Sequence, residues 1–340
     1  MVTNQRKKAL VTGISGQDGS YIAEFLLEQG YEVFGLVRRR SQGVPRNIMH
    51  ILDKITLIYG DLSDGSALAT LLCEIRPDEI YNLAAQSVPR ESWRYPLHTL
   101  DITALGPVRL LEAARQHLPG VKFYQASSSE IFGDATAGAI DEVAPFRANN
   151  PYGVAKLAAH LMARVYRLSY HMFICCGILF NHESPRRSPD FVSRKVSLGV
   201  AATKLGKSHG ARNEDGQQIL GVDNKLVLGN LNAQRDWGHA RDYVHAMWLM
   251  LQHHEPDDYV IATGALHSIE DLCAVAYAQV GLNWHEHVTT DQRFLRPTEI
   301  APMRGNAEKA RTILGWQPTI TFEQLICEMV ESDMELLASV

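Results

Sequence analysis

The feature that most constrains this chain is an alternation running from its N-terminus to Asn181. Short apolar runs, "KALVTG", "YEVFGLV", "ITLIYG", "EIYNLAA", "VKFYQAS" and "MFICCGILF", read as strands. Between most of them lie "YIAEFLLEQG", "SALATLLCEI", "LGPVRLLEAARQHL" and "GVAKLAAHLMARVYRLSY", whose apolar positions recur at helical spacing. Strands that stay apolar throughout and alternate with amphipathic helices belong in a parallel sheet covered on both faces. The expected fold is therefore α/β, a Rossmann-like doubly wound parallel sheet.

After Asn181 the alternation weakens. "GKSHGARNEDGQQILGVDNKLVLGN" is polar and glycine-rich and reads as an extended loop or irregular hairpin. "DYVHAMWLMLQHH", "IEDLCAVAYAQVG" and "FEQLICEMVESDMELLA" read as helices, while "DYVIATG" looks like a return to the sheet. We expect residues 1–181, with a returning segment at about 238–274, to form the dinucleotide-binding domain. Residues 182–237 and 275–340 are expected to make a smaller mixed α/β substrate-binding domain.

Composition narrows the class. The net charge of −5 and a pI near 6.3 argue against a general nucleic-acid binder. The apolar stretch behind the basic start "MVTNQRKK" is far too short for a signal peptide, and no run approaches a membrane span. Five cysteines (Cys73, Cys175, Cys176, Cys273 and Cys327) lie among apolar neighbours without metal-ligand spacing. They read as reduced, buried thiols in a cytoplasmic protein, and no metal site is expected.

The stretch "VTGISGQDGS" spaces Gly13, Gly16 and Gly19 at intervals of three, behind a strand and at the start of a helix. In that context the glycines let the backbone approach a pyrophosphate, which the helix N-terminus then meets with free N–H groups. Gln17 and Asp18 are expected to contact the pyrophosphate and cap the helix start. At the end of the second strand an NAD site carries an acidic residue. Here Val37 is followed by Arg38, Arg39 and Arg40, which suit a 2′-phosphate and point to NADP. Asp61, after the third strand, fits either an adenine contact or a loop cap. Ala84 and Ala85 are small where the chain passes the cofactor.

Tyr152 and Lys156 stand one helical turn apart, so an ammonium can stabilise a phenolate for use as a base. The serine-rich "QASSSE" lies upstream at a strand end, where this fold builds its cleft. The glycine turn, Ser128 and the Tyr-Lys pair together resemble the extended short-chain dehydrogenase/reductase superfamily. More narrowly, "TGISGQDGSYIAEFLLEQGYEVFGLVRRRS", "YNLAAQS", "FYQASSSEIFG", "NNPYGVAKL", "GILFNHESPRR", "FVSRKV", "LGNLNAQRDWGHARDYVHAMWLMLQ" and "FLRPTE" are similar, in order, to the GDP-mannose 4,6-dehydratase family.

That resemblance implies a hydro-lyase acting on GDP-mannose with NADP, through an internal C4-to-C6 hydride transfer and loss of water. It implies Ser128, Glu130, Tyr152 and Lys156 as the catalytic set. Tyr152 would take the 4-hydroxyl proton, Lys156 hold the nicotinamide ribose, and Ser128 bond the C4 oxygen. Glu130 would take the C5 proton and protonate the departing 6-hydroxyl, a step that a dehydrogenase or epimerase does not need. Leu62, Leu83, Ser87, Leu179, His182 and Arg187 are implied beside the cofactor. Ser87, Glu130, Asn181, Glu183, Arg194, Lys195, Arg235, Arg296 and Glu299 are implied around the sugar nucleotide. For Arg235 an ion pair with Asp236 is the alternative. The family also implies a homodimer or homotetramer.

The chain departs from the family at Ser128, where threonine is common, and at His98, where tyrosine is common. Residues 208–225 are longer than the family's link, which reads as a surface insertion or as a change of sugar or nucleotide preference. The alternatives carried forward are an epimerase or reductase on another nucleotide sugar, a dehydratase of a related GDP-sugar such as a GDP-heptose, and a non-catalytic NADP-binding regulator.

Overall fold

The computed structural model describes residues 6–38, 46–134, 138–221, 223–294 and 302–339. Among the described residues the strands β1 (Lys8–Thr12), β2 (Glu32–Val37), β3 (Thr56–Tyr59), β4 (Glu79–Asn82), β5 (Lys122–Ala126), β6 (Ile174–Leu179) and β7 (Asp258–Ile261) form one sheet. Its spatial order is 3-2-1-4-5-6-7, and every pairing is parallel. The topology reverses between β1 and β4, and the crevice outside the C-terminal strand ends at such a reversal is where this architecture places its ligands.

The sheet is covered by α1 (Gln17–Glu28), α2 (Gly65–Ile75), α3 (Gly106–His117), α4 (Pro151–Tyr170) and, further along the chain, by a sixth long helix. The remaining long helices are α5 (Val192–Leu205), α6 (Ala240–Gln252), α7 (Ile269–Gln279) and α8 (Phe322–Ala338). Strand alternation sorts side chains into two cores. Ala9, Val11, Tyr81, Tyr124 and Cys175 go to one face, with Ile22 and Leu26 of α1 and Met247 and Met250 of α6. Leu10, Ile80, Phe123, Ile174 and Cys176 go to the other, with Leu68 and Leu72 of α2 and Leu110 and Leu111 of α3. Each fully buried Leu or Ile contributes about 1.5–3 kcal/mol, so reversing the alternation in one central strand would lose both cores at once.

A separate core joins α5, α7 and α8. Ala211, Ile219, Leu220 and Leu226 belong to it, so the 208–225 insertion is anchored rather than loose. Of the two readings, loop or irregular hairpin, the second fits better: Arg212 bridges Gln218, and Leu220 bridges Leu226, both antiparallel. The thiols are all unpaired. Cys175, Cys176 and Cys273 are buried as expected, but Cys327 is only half-buried and Cys73 is exposed on the outer face of α2. No helix is long and apolar enough to cross a membrane among the described residues.

Candidate active site

Gly13 leaves β1 in the left-handed region (φ +69°), and a Cβ there would lie 2.9 Å from the Ala84 amide nitrogen. A Cβ on Gly19 would lie 2.2 Å from the Gly13 carbonyl oxygen. The turn closes by backbone-to-backbone contact, and α1 starts after Gly16 with no side-chain cap. Its N-terminus therefore presents N–H groups without a side-chain acceptor. Thr12 Oγ1 accepts the N–H groups of Leu83 and Ala84 (3.1 Å each) and donates to Asn82 Oδ1 (2.7 Å). That hydroxyl fixes the path of residues 83–85 beside the turn.

The capping role expected of Gln17 and Asp18 is not what the structure shows. Both side chains turn away from the helix end toward residues 182–184. Gln17 Nε2 donates to the His182 carbonyl (3.0 Å) and Gln17 Oε1 accepts from Ser184 Oγ (2.8 Å). Asp18 Oδ2 meets His182 Nε2 at 2.8 Å. Burial works against the Asp18 carboxylate, but His182, Gln17 and Arg187 outweigh it and hold its pKa at about 2.

Arg38 is exposed directly after β2, while Arg39 falls outside the described residues. Asp61 is a loop cap: Oδ1 accepts the N–H (2.9 Å) and the hydroxyl (2.8 Å) of Ser63. Partial burial pushes its pKa up, yet the Ser63 bonds, with Arg38 and His98 nearby, bring it below the usual value. Leu62 and Leu179 are buried, Leu83, Ala84 and Ala85 half-buried, and Ser87 exposed.

The four expected catalytic residues come together between the end of β5 and the start of α4. Asn150 caps that helix by accepting the Gly153 N–H (2.8 Å), Pro151 has no N–H to satisfy, and the Tyr152 N–H goes to Ser92 Oγ (3.2 Å). With its end donors satisfied, the helix start can be buried without cost. Asn150 has a second job, since its Nδ2 donates to Glu130 Oε2 at 2.7 Å. Ser128 Oγ accepts the Glu130 N–H (3.3 Å) and acts on the Tyr152 hydroxyl. Lys156 Nζ, buried, donates to the Ala126 carbonyl (2.8 Å) and lies 5.9 Å from the Tyr152 ring centre.

Burial shifts both members of this pair. Burial raises the Tyr152 pKa above its ordinary value, with Ser128 lowering it only in part. Burial also brings Lys156 down to about 8. The ammonium hydrogen-bonds the Ala126 carbonyl while lying over the Tyr152 ring, and desolvation dominates both groups.

On the opposite wall, Asn181–Glu183 pairs in parallel with Trp237–His239. Asn181 is half-buried, but Glu183 is turned inward, accepting from Ser193 Oγ (2.6 Å) and pairing with Arg187 Nε (3.0 Å). Arg187 stacks over Phe191, 3.5 Å from the ring centre. Arg194 does not offer its charge to the cleft: it is buried against Asp333 (2.6 Å) and the Pro185 carbonyl. Lys195 donates to the Val227 carbonyl (2.7 Å) and sits 4.1 Å from the Phe294 ring centre. Burial, helped by Arg90, lowers its pKa to about 8. Asp236 is not the partner of Arg235, because its carboxylate is taken by Thr263, Gly264 and Gly305. Arg235 Nη1 donates to the Gln234 carbonyl (2.6 Å). Arg296 and Glu299 lie outside the described residues.

Sequence reasoning missed Asn150, Ser92 and Thr12. An Asn before Pro at a helix start is a readable cap signal, but its second bond to Glu130 is not.

Comparison with known proteins gives one direction. The family model for GDP-mannose 4,6 dehydratase matches residues 10–329. GDP-mannose 4,6 dehydratase 1 of Arabidopsis thaliana is 47% identical, over 98% of this chain and 92% of its own. The GDP-mannose 4,6 dehydratase of Homo sapiens is 43% identical over the same shares, 98% and 92%. Among solved structures, the Thermus thermophilus UDP-glucose 4-epimerase in complex with NAD matches with a TM-score of 0.80 at 25% identity. That match covers 96% of this chain and 98% of that one.

Proposed function

The chain belongs to the GDP-mannose 4,6-dehydratase family, and on that premise we propose that it removes water from GDP-D-mannose to give GDP-4-dehydro-6-deoxy-D-mannose. The observation that carries the reading is Glu130, a carboxylate tied by Asn150 to the helix that bears Tyr152 and Lys156. An alcohol oxidation or an epimerisation at C4 has no use for that second acid–base group.

The cofactor is a nicotinamide dinucleotide, and we assign NADP. The close turn at Gly13 and Gly19 and the uncapped start of α1 fit the pyrophosphate, while Arg38 fits a 2′-phosphate. Residues 83–85, held by Thr12, would run alongside it. When bound, the dinucleotide supplies a hydride acceptor at C4 and a hydride donor at C6 within one turnover.

The protein's own residues handle the protons. Tyr152 takes the 4-hydroxyl proton as the hydride leaves C4, with Ser128 donating to the developing ketone oxygen. Lys156 keeps its charge below about pH 8 and is the cation available to the ribose and to the phenolate. The 4-ketone acidifies C5–H. Glu130 abstracts that proton and delivers it to the 6-hydroxyl, which departs as water. Once hydride reaches C6, Tyr152 returns its proton to C5, and the enzyme is as it began.

The sugar nucleotide would lie between Asn181, Lys195 and Arg235, with Ser87, Arg296 and Glu299 as further proposed contacts. Glu183, Arg187 and Arg194 support this wall from behind. We take the sheet and its helices as the cofactor-binding unit, and residues 182–237 with 275–340 as the substrate-binding unit. Helix α7 joins the latter because its buried face packs with α5 and α8. A homodimer or homotetramer fits the exposed apolar side chains Leu97, Leu105, Leu161, Val165 and Leu168 on adjoining helical segments. The unpaired thiols fit a cytoplasmic location.

The test is incubation of purified protein with GDP-mannose and NADP⁺, following the product by mass and NMR. Loss of one water with a 4-ketone is expected, and a C4 epimer without loss of water would overturn the reading. Glu130→Gln should abolish dehydration while NADP⁺ still binds.

A further inference from the structure

Residues 182–186 lie strapped along one face of α1. Gln17 holds the His182 carbonyl and Ser184 Oγ, and Asp18 holds the His182 ring. Arg186 then donates to Ser20 Oγ (3.0 Å) and pairs with Glu24 (2.6 Å). Positions 17, 20 and 24 fall on one side of a helix, so the strap runs for two turns.

The hydrogen-bond pattern also fixes the charge of His182. Its Nδ1 lies 2.7 Å from the Phe180 carbonyl, which can only accept. Its Nε2 lies 2.8 Å from Asp18 Oδ2, while Asp18 Oδ1 accepts from Gln17 (3.0 Å). Both ring nitrogens must carry hydrogen, which makes His182 a buried imidazolium, stacked on Tyr243 at 4.6 Å. From this strap the connections run on. Asn181–Glu183 pairs with Trp237–His239 beside Arg235, and Glu183 grips Ser193 in the first turn of α5, which carries Lys195.

We propose that Gln17, Asp18 and His182 are positioning residues for the sugar nucleotide: their side chains lock the wall that bears Asn181, Lys195 and Arg235 onto the helix that opens the dinucleotide turn. This rests on the dehydratase reading and sharpens it, since these side chains then act through the wall rather than by touching the cofactor. The charged groups facing His182 are Asp18 from α1 and Arg187 from its own segment, with the Tyr243 phenol stacked on it from α6. Burial disfavours the imidazolium, but Asp18 more than compensates, so its pKa is raised. The lock is therefore intact at low and neutral pH and loosens as pH rises through that raised value.

The experiment is calorimetric titration of NADP⁺ and of GDP-mannose, separately, with kcat and KM against pH. It uses wild type, Asp18→Asn, His182→Gln, their double variant, and Ser184→Ala. Each of the first two should weaken GDP-mannose about tenfold, as losing a hydrogen bond to a charged group does, with the double variant little worse than either. NADP⁺ affinity should stay within about threefold, and Ser184→Ala should give a smaller loss of the same kind. The rise of KM at high pH should disappear in His182→Gln. If that variant fails to fold, Ser184→Ala carries the test. Weakened NADP⁺ binding with unchanged GDP-mannose binding would overturn the proposal, as would additive effects or no effect. A wild type that binds no GDP-mannose would instead refute the dehydratase reading on which it rests.

Discussion

Asn150 holds two things at once, and substitutions can separate them. Its Oδ1 caps α4 at 2.8 Å and its Nδ2 holds Glu130 at 2.7 Å, both partly or wholly buried. Removing an Asn cap costs about 0.5–2 kcal/mol, and a hydrogen bond to a charged group contributes about 1.5–3 kcal/mol. Asn150→Ala loses both, so stability should fall by about 2–5 kcal/mol and kcat by roughly ten- to a hundredfold as Glu130 leaves its position. Asn150→Ser keeps a capping oxygen but cannot reach Glu130. It should be more stable than the alanine variant by about 0.5–2 kcal/mol, the worth of the retained cap, yet lose nearly as much kcat. The assays are urea denaturation and the rate of 4-keto product formation under saturating GDP-mannose. A serine variant with wild-type kcat would show that Glu130 is not placed by Asn150, and the reasoning would fail there.

Three further outcomes follow from the same geometry. Glu79→Ala strips a buried carboxylate that accepts from Tyr81 (2.8 Å), Tyr31 (3.0 Å), Gln252 (3.2 Å) and Lys7 (3.3 Å) at the sheet end away from the cleft. Stability should drop by about 2–4 kcal/mol, as the buried Tyr81 and Tyr31 hydroxyls lose their acceptor, with kcat per folded molecule unchanged, and a loss under about 1 kcal/mol in urea melts would contradict it. Because burial brings the Lys156 ammonium from 10.5 to about 8, kcat/KM should decline as pH rises through about 8. In Lys156→Arg, whatever activity remains should lose that decline, and a pH profile that keeps it would assign the limb to another group. Arg38→Ala should weaken NADP⁺ by roughly tenfold or more while leaving NAD⁺ nearly unchanged in titrations, since only the 2′-phosphate is lost to it. Equal weakening of both would remove the basis for NADP preference.

The fold was legible because its signals are local. Each strand carries apolar residues on both faces, the helices between them are amphipathic, and glycines follow β1 where the chain must turn tightly. The catalytic pair was legible for the same reason, since Tyr152 and Lys156 share a helix. Long-range choices were not. Nothing near Gln17 or Asp18 says that their side chains will be used by His182 and Ser184 rather than by the end of α1. Arg194 looks like a phosphate cation until α8 brings Asp333 against it. Asp236 looks like a partner for Arg235 until the loop after β7 and Gly305 claim its oxygens. Burial likewise sets the direction of the Lys156 and Tyr152 pKa shifts, because desolvation depends on the whole surround and not on spacing.

The proposed reaction is an internal redox cycle in which hydride leaves C4, water leaves across C5 and C6, and the same hydride arrives at C6. It is tested most directly with GDP-mannose deuterated at C4, incubated with the enzyme and a catalytic amount of NADP⁺. The expected outcome is a 4-keto product with the deuterium at C6 and no net reduction of cofactor. Deuterium lost to solvent, deuterium retained at C4 in an epimer, or stoichiometric accumulation of NADPH would contradict it.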